Sequence, residues 1–171
     1  VNDSPDPRFT AEAFYGLNFE DNATSGKPER YIASVKLNSP SAGNQTIEVG
    51  SVSPQLIYRD FTEKVFKAKA GETLTPSIDY KNGGWMNGYV YVDHNNNGKF
   101  EATFDEKTHK VAEGADLMSY YYYETVEDQS GYKYDGTAVS GDDRNNLSTP
   151  AFTLPANMTP GFYRMRYKVD W

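Results

Sequence analysis

The feature that most constrains this chain is an apolar period of two that recurs in short runs and never gives way to a sustained period of 3.6. Side chains alternate across a strand but return to one face of a helix every three or four residues, so the period of the pattern separates the two. In residues 85–93, Met86, Gly88, Val90 and Val92 alternate with Asn87, Tyr89 and Tyr91. In residues 30–37, Tyr31, Ala33, Val35 and Leu37 alternate with Ile32, Ser34 and Lys36. Near the C-terminus, Phe162, Arg164, Arg166 and Lys168 share one face, while Tyr163, Met165, Tyr167 and Val169 share the other. Shorter runs at 46–49, 56–58, 65–68, 73–80, 116–125 and 151–154 read as further strands, and 11–17 as a short helical turn or strand. Between them stand turn formers, above all Lys81-Asn82-Gly83-Gly84, where Asn and Gly accept the positive φ of tight turns.

Many short strands with turns between them predict an all-β fold, an antiparallel two-sheet β-sandwich of the immunoglobulin or jelly-roll kind. At 171 residues the chain is long enough for one sizeable core and short for two. Residues 1–30, with Pro5, Pro7, Gly16, Gly26 and Pro28 and little periodicity, read as an extended lead-in packed on the domain, and residues 31–171 as the sandwich module. The chain starts at Val1 with no charged-then-apolar leader, which reads as a mature or trimmed product.

Charge and composition remove several classes of function. A formal charge of −7 opposes a phosphate backbone or an anionic lipid surface, so nucleic acid is not an expected partner. No run approaches the roughly 18 apolar residues that cross a bilayer, so membrane insertion is not expected either. Zero cysteines exclude disulfides, thiol catalysis and cysteine-ligated metals. The two histidines, His94 and His109, sit in no zinc or triad frame, and no G-x-S-x-G or phosphate loop is present. The 24 Asp and Glu residues offer many pairs for glycoside hydrolysis, but abundance of acids is poor evidence of a catalytic pair, and the chain is read as a non-enzyme.

One segment carries ligand chemistry. Asp93-His94-Asn95-Asn96-Asn97-Gly98-Lys99 puts side-chain oxygens at positions one, three and five, glycine at six and a backbone carbonyl at seven, the first half of a calcium loop. A hard cation wants a ring of oxygens, and the sixth residue must turn sharply. Position twelve, where a bidentate Glu belongs, is Phe104, and the nearest substitutes are Asp105 and Glu106. The candidate Ca2+ ligands are therefore Asp93, Asn95, Asn97, Lys99, Asp105 and Glu106, with modest affinity because two carboxylates are replaced by amides. The competing reading is a metal-free loop in which the same oxygens cap backbone amides.

Aromatic residues offer a second candidate site. Trp85, Tyr120 and Tyr122 can form a stacking platform for sugar rings, with Asn, Asp and Arg taking the hydroxyls. The alternative is that Trp85 fills the core and that two of the tyrosines in 120–123 point inward. Arg164 and Arg166 can clasp an acidic ligand or pair with neighbouring acids across the sheet.

In order along the chain, Tyr58-Arg59-Asp60-Phe61-Thr62, Ala70-Gly71-Glu72-Thr73-Leu74-Thr75, Tyr89 through Phe100, Phe152-Thr153-Leu154-Pro155-Ala156 and Gly161-Phe162-Tyr163-Arg164-Met165-Arg166 resemble the GEVED domain of secreted bacterial proteins. The resemblance implies a β-sandwich module, without catalytic activity of its own, attached to exported or surface proteins beside proteases, glycan-processing enzymes or adhesive repeats. It departs from the pattern at Asn97, where an aspartate is usual, and the Gly-Glu-Val-Glu-Asp segment is absent from a chain that stops at Trp171. The expectation is an extracellular or cell-surface bacterial module that binds a glycan or cell-surface protein, next to neighbouring domains of a larger parent chain. The alternative is a structural spacer or adhesion module with no small-molecule ligand.

Overall fold

A computed structural model of the chain describes residues 24–82, 87–101, 112–123, 131–133, 138–139 and 149–170. No helix occurs among them. Strands β1 (Tyr31–Ser39), β2 (Gly43–Glu48), β3 (Thr73–Lys81), β4 (Asn87–Val92), β5 (Leu117–Tyr123), β6 (Gly131–Lys133), β7 (Ala138–Val139), β8 (Phe152–Thr153) and β9 (Met165–Asp170) form two antiparallel sheets. One runs β2-β1-β3-β8 and the other β7-β6-β5-β4-β9. This is the all-β, two-sheet sandwich that the period-two pattern predicts.

The alternation decides what lies between the sheets. From the four-stranded sheet Val35, Leu37, Leu74, Ile78 and Phe152 are buried, and from the five-stranded sheet Val90 and Val92. Tyr163, Met165 and Tyr167 pack against them, as the reading of the last strand requires. Each fully buried Val, Leu or Phe contributes about 1.5–3 kcal/mol relative to leaving it in water.

Two extra residues shift the alternation. Ile32 pairs with Tyr80 and Ser34 with Asp79, so Ala33 has no partner on β3. Its carbonyl instead accepts the amides of Val49 and Gly50, both at 2.9 Å. The bulge turns Ile32 onto the core around Val35 and Ile78, opposite to the face its parity predicts. In β5, Val90 pairs with Ser119 and Tyr91 with Leu117, so Met118 is the extra residue.

Two expected strands are not formed. Leu56 makes only an isolated bridge to Thr24, and residues 65–68 join no sheet. The carboxamide of Gln45 takes the place of a backbone ladder there, its Nε2 donating to the Lys67 carbonyl at 2.8 Å and its Oε1 accepting the Lys67 amide at 2.6 Å. The Ser39 hydroxyl donates to the same carbonyl at 3.1 Å. Held by side chains, the segment lays Phe66 against both core clusters and 6.1 Å from the Tyr167 ring. The Thr24 bridge and a Ser25 amide to Gln55 carbonyl bond of 2.8 Å tie residues 24–25 to the same region. The turn or strand expected at 11–17 lies outside the described residues.

Candidate functional site: the Asp93 loop and the outward face of the five-stranded sheet

Strand β4 delivers Asp93 to the end of the sandwich at 0% exposure. Its amide donates to the Arg164 carbonyl at 3.0 Å, which fixes the loop to the chain entering β9. A buried carboxylate is costly unless donors surround it. Here Oδ1 accepts the Asn97 amide at 3.1 Å and Oδ2 the Gly98 amide at 2.9 Å. Asn95 Oδ1 accepts the Asn97 amide at 3.1 Å, and Asn97 Oδ1 the Lys99 amide at 2.9 Å. Gly98 has φ +80° and Asn96 φ +59°. The sharp turn that demanded a residue without a side chain at the sixth position is therefore present, since Gly adopts positive φ without the Cβ penalty.

A residue that sequence reasoning passed over closes the loop from the other side. Asp116, also at 0% exposure, leads into β5. Its Oδ2 accepts the Glu101 amide at 2.9 Å, while Oδ1 accepts the His94 amide at 3.2 Å and lies 2.7 Å from His94 Nδ1. In return the Asp116 amide donates to the Glu101 carbonyl at 2.7 Å, and its carbonyl accepts the Val92 amide at 2.8 Å. No local pattern marks Asp116, because its role depends on β4 and β5 being neighbours 22 residues apart at His94.

The capping of backbone amides by Asp93, Asn95 and Asn97 is thus realised in full. Among the described residues no three His, Cys, Asp or Glu side chains come together as a metal cluster. The oxygens at Asp93, Asn95 and Asn97 and the Lys99 carbonyl are brought into one loop, whereas Asp105 and Glu106 lie outside the described residues.

The outward face of the five-stranded sheet carries rings and cations. Tyr89 pairs with Lys168 and Tyr91 with Arg166 across β4 and β9. Lys168 Nζ lies 5.0 Å from the Tyr89 ring centre, and the Arg166 guanidinium 4.6 Å from that of Phe100. The Tyr89 and Tyr91 rings are stacked at 6.4 Å and 24°, and Phe100 tilts against Tyr91 at 5.5 Å. Such contacts hold rings in fixed orientations and contribute about 0.5–1 kcal/mol each at partly exposed sites. Tyr89, Tyr91, Phe100 and Arg166 are part-buried and Lys168 is exposed.

The aromatic residues singled out from sequence fare differently. Tyr120 pairs with Tyr89 but is only 6% exposed, so its ring offers no open stacking face and the platform reading is corrected at that position. Tyr122 pairs with Tyr132 in the β5–β6 ladder, its side chain being outside the described set, and Trp85 lies outside it entirely. The alternation of Tyr89 and Tyr91 is legible in the sequence, but nothing local there marks them as a site. Phe162, just ahead of β9, is 81% exposed, and its carbonyl accepts Asn96 Nδ2 at 3.3 Å. Arg164 and Arg166, weighed as a clasp for an acidic ligand, are both part-buried, with Arg166 lying over Phe100.

Residues 87–171 match the family model of the GEVED domain. No curated protein and no solved structure matches the chain. The match starts at the first residue of β4 and spans the whole five-stranded sheet together with β8. Segments 58–62 and 70–75, which also bear the resemblance, fall outside it, so β1–β3 precede the matched span and complete the sandwich from the N-terminal side. The part of the chain that carries the Asp93 loop, the ring-and-cation face and Phe162 is thus the part that matches the GEVED domain.

Proposed function

We propose that the chain is a non-catalytic binding module of an exported or surface-anchored bacterial protein, and that it takes a carbohydrate chain on the outward face of the five-stranded sheet. The observation that carries this reading is the row Tyr89, Tyr91 and Phe100 with Arg166 and Lys168 around it. Flat ring faces complement the C–H side of a pyranose, and cations and phenols beside them meet hydroxyls. The non-catalytic part rests on the sequence, in which His94 and His109 sit in no zinc or triad frame and no G-x-S-x-G or phosphate loop occurs.

The proposal includes weak calcium binding by the Asp93 loop. The donor set is all oxygen, as a hard cation requires, and a carboxylate or carbonyl oxygen that accepts one amide keeps a second lone pair. Asp93, Asn95, Asn97 and the Lys99 carbonyl would hold the ion, with Asp105 and Glu106 as the nearest substitutes for the acid of position twelve. Bound there, calcium would stiffen the connection between β4 and β5.

The test is retention of the 171-residue protein on a broad glycan array, in calcium and in chelator. Specific retention that Tyr91→Ala abolishes supports the reading. A blank array in both conditions rejects it and leaves a spacer or protein-adhesion module. For the loop, chelator should lower the thermal midpoint and calcium restore it, because a ligand bound only by the native state stabilises it. An unchanged midpoint removes the metal.

A further inference from the structure

Phe162 is 81% exposed, so its phenyl ring forgoes the favourable burial of apolar surface. Single exposed apolar residues are ordinary on protein surfaces, but the backbone of this one is anchored on both sides. The Tyr163 hydroxyl donates to the Thr159 carbonyl at 2.6 Å and the Tyr163 ring packs into the core. The Phe162 carbonyl accepts Asn96 Nδ2 at 3.3 Å, and the Arg164 carbonyl accepts the Asp93 amide at 3.0 Å. With the backbone fixed on both sides and Tyr163 occupying the inward place, the Phe162 ring is held out in solvent beside the Asp93 loop.

That loop supplies polar groups of one kind. Asn95 and Asn97 are exposed, and each has its Oδ1 pinned by a backbone amide. This fixes which end of each carboxamide is oxygen and leaves the Nδ2 groups, which have no protein partner among the described residues, as pre-oriented donors. An exposed aromatic ring on the segment bonded to this loop, together with two neutral donors, complements a ring with a C–H face and hydroxyl oxygens. The net charge of −7 opposes the approach of an anionic polymer.

We propose that Phe162, Asn95 and Asn97 form a contact for one neutral sugar ring at the end of a glycan, Phe162 stacking on its C–H face and the two carboxamides donating to its hydroxyls. This rests on the carbohydrate reading above and adds where the terminal residue sits and that it is uncharged. One ring on a loop engages one sugar, whereas Tyr89 and Tyr91 take the chain behind it.

The experiment is affinity electrophoresis of the 171-residue protein through gels containing soluble mannan, β-glucan or a polyuronate, with Phe162→Ala, the double variant Asn95→Asp/Asn97→Asp, and Tyr91→Ala run beside the wild type. The expected result is retardation in a neutral polysaccharide that weakens about tenfold in Phe162→Ala, with an unchanged thermal midpoint. The double variant keeps the acceptor oxygens and the turns but loses the donors, and should weaken retardation as well. Wild-type retardation that Phe162→Ala leaves intact and Tyr91→Ala abolishes overturns this contact and spares the sheet-face reading. Retardation by polyuronate alone overturns the neutral assignment. No retardation of the wild type in any gel rejects both proposals.

Discussion

The two sheets share one inner design and differ in their outer faces. Inward, both present alternating aliphatic residues, Val35, Leu37, Leu74 and Ile78 against Val90 and Val92. Outward, the four-stranded sheet is polar: Lys36, Asn38, Thr73, Thr75, Asp79 and Lys81 are exposed, with Thr73 and Thr153 hydroxyls 2.8 Å apart across β3 and β8. The five-stranded sheet instead sets Tyr89 beneath Lys168 and Tyr91 against Tyr89, with Phe100 of the following loop beneath Arg166. Solubility asks only for polar outward positions, and the first sheet meets that demand. Rings on the second are the surface that the proposed function assigns to the ligand, and they lie beside Tyr120, which pairs with Tyr89 and is 6% exposed.

The largest expected effect tests the inner face of the four-stranded sheet. Phe152→Ala and Leu74→Ala, buried at 3% and 2% exposure, should each cost about 2–5 kcal/mol in urea denaturation. A cost below about 1 kcal/mol at either site would mean that the two sheets do not share a close-packed core. Next in size is the clamp on the loop. Asp116→Asn keeps the shape but turns an acceptor toward the Glu101 or His94 amides into a donor, and should cost about 2–3 kcal/mol. It should also increase hydrogen exchange at Gly98 and Lys99 if Asp93 and Asp116 hold the loop together.

Tyr167 joins the two sheets through its hydroxyl, which donates to the Lys36 carbonyl at 3.0 Å. Burial pushes its phenol well above the usual 10.0, and burial raises Tyr80 as well. The unfolded chain therefore ionises first, so this contribution to stability is complete below pH 10.0 and declines as pH rises beyond it. Tyr167→Phe should cost about 1 kcal/mol at neutral pH, and the gap to wild type should narrow in alkaline solution. A gap that stays constant or widens above that pH would place the phenol in water. The smallest effect belongs to the polar face. Thr75→Ala should stay within about 0.5 kcal/mol of wild type and leave glycan retention unchanged.

What was legible in the sequence follows from whether the cause was local. Strands β4 and β9 show their two faces residue by residue because each lies between a core and an outward surface, which period two records directly. The turn at Gly98 was legible for the same reason, since its positive φ is a demand on one residue. The Ala33 bulge was not, because nothing in a run from Tyr31 to Leu37 marks the residue that will go unpaired. Residues 65–68 look like a strand yet are held by the Gln45 carboxamide, a partner about twenty residues away that no periodicity reveals. Asp116 was invisible for a related reason, its amide donors arriving from a loop on a neighbouring strand. Tyr120 drew attention as one of four consecutive tyrosines, but composition says nothing of which ring is covered.

The most direct measurement of the central claim is glycan retention by two matched pairs of variants, Tyr89→Ala/Tyr91→Ala on the five-stranded sheet and Lys36→Ala/Thr75→Ala on the four-stranded one, each with its thermal midpoint recorded. The expected result is retention by the wild type and by the polar-face pair, and loss of about tenfold or more in the aromatic-face pair while both remain folded. Equal retention by the two pairs, or a wild type that binds no glycan, would contradict the assignment of the ligand to the ring-bearing face.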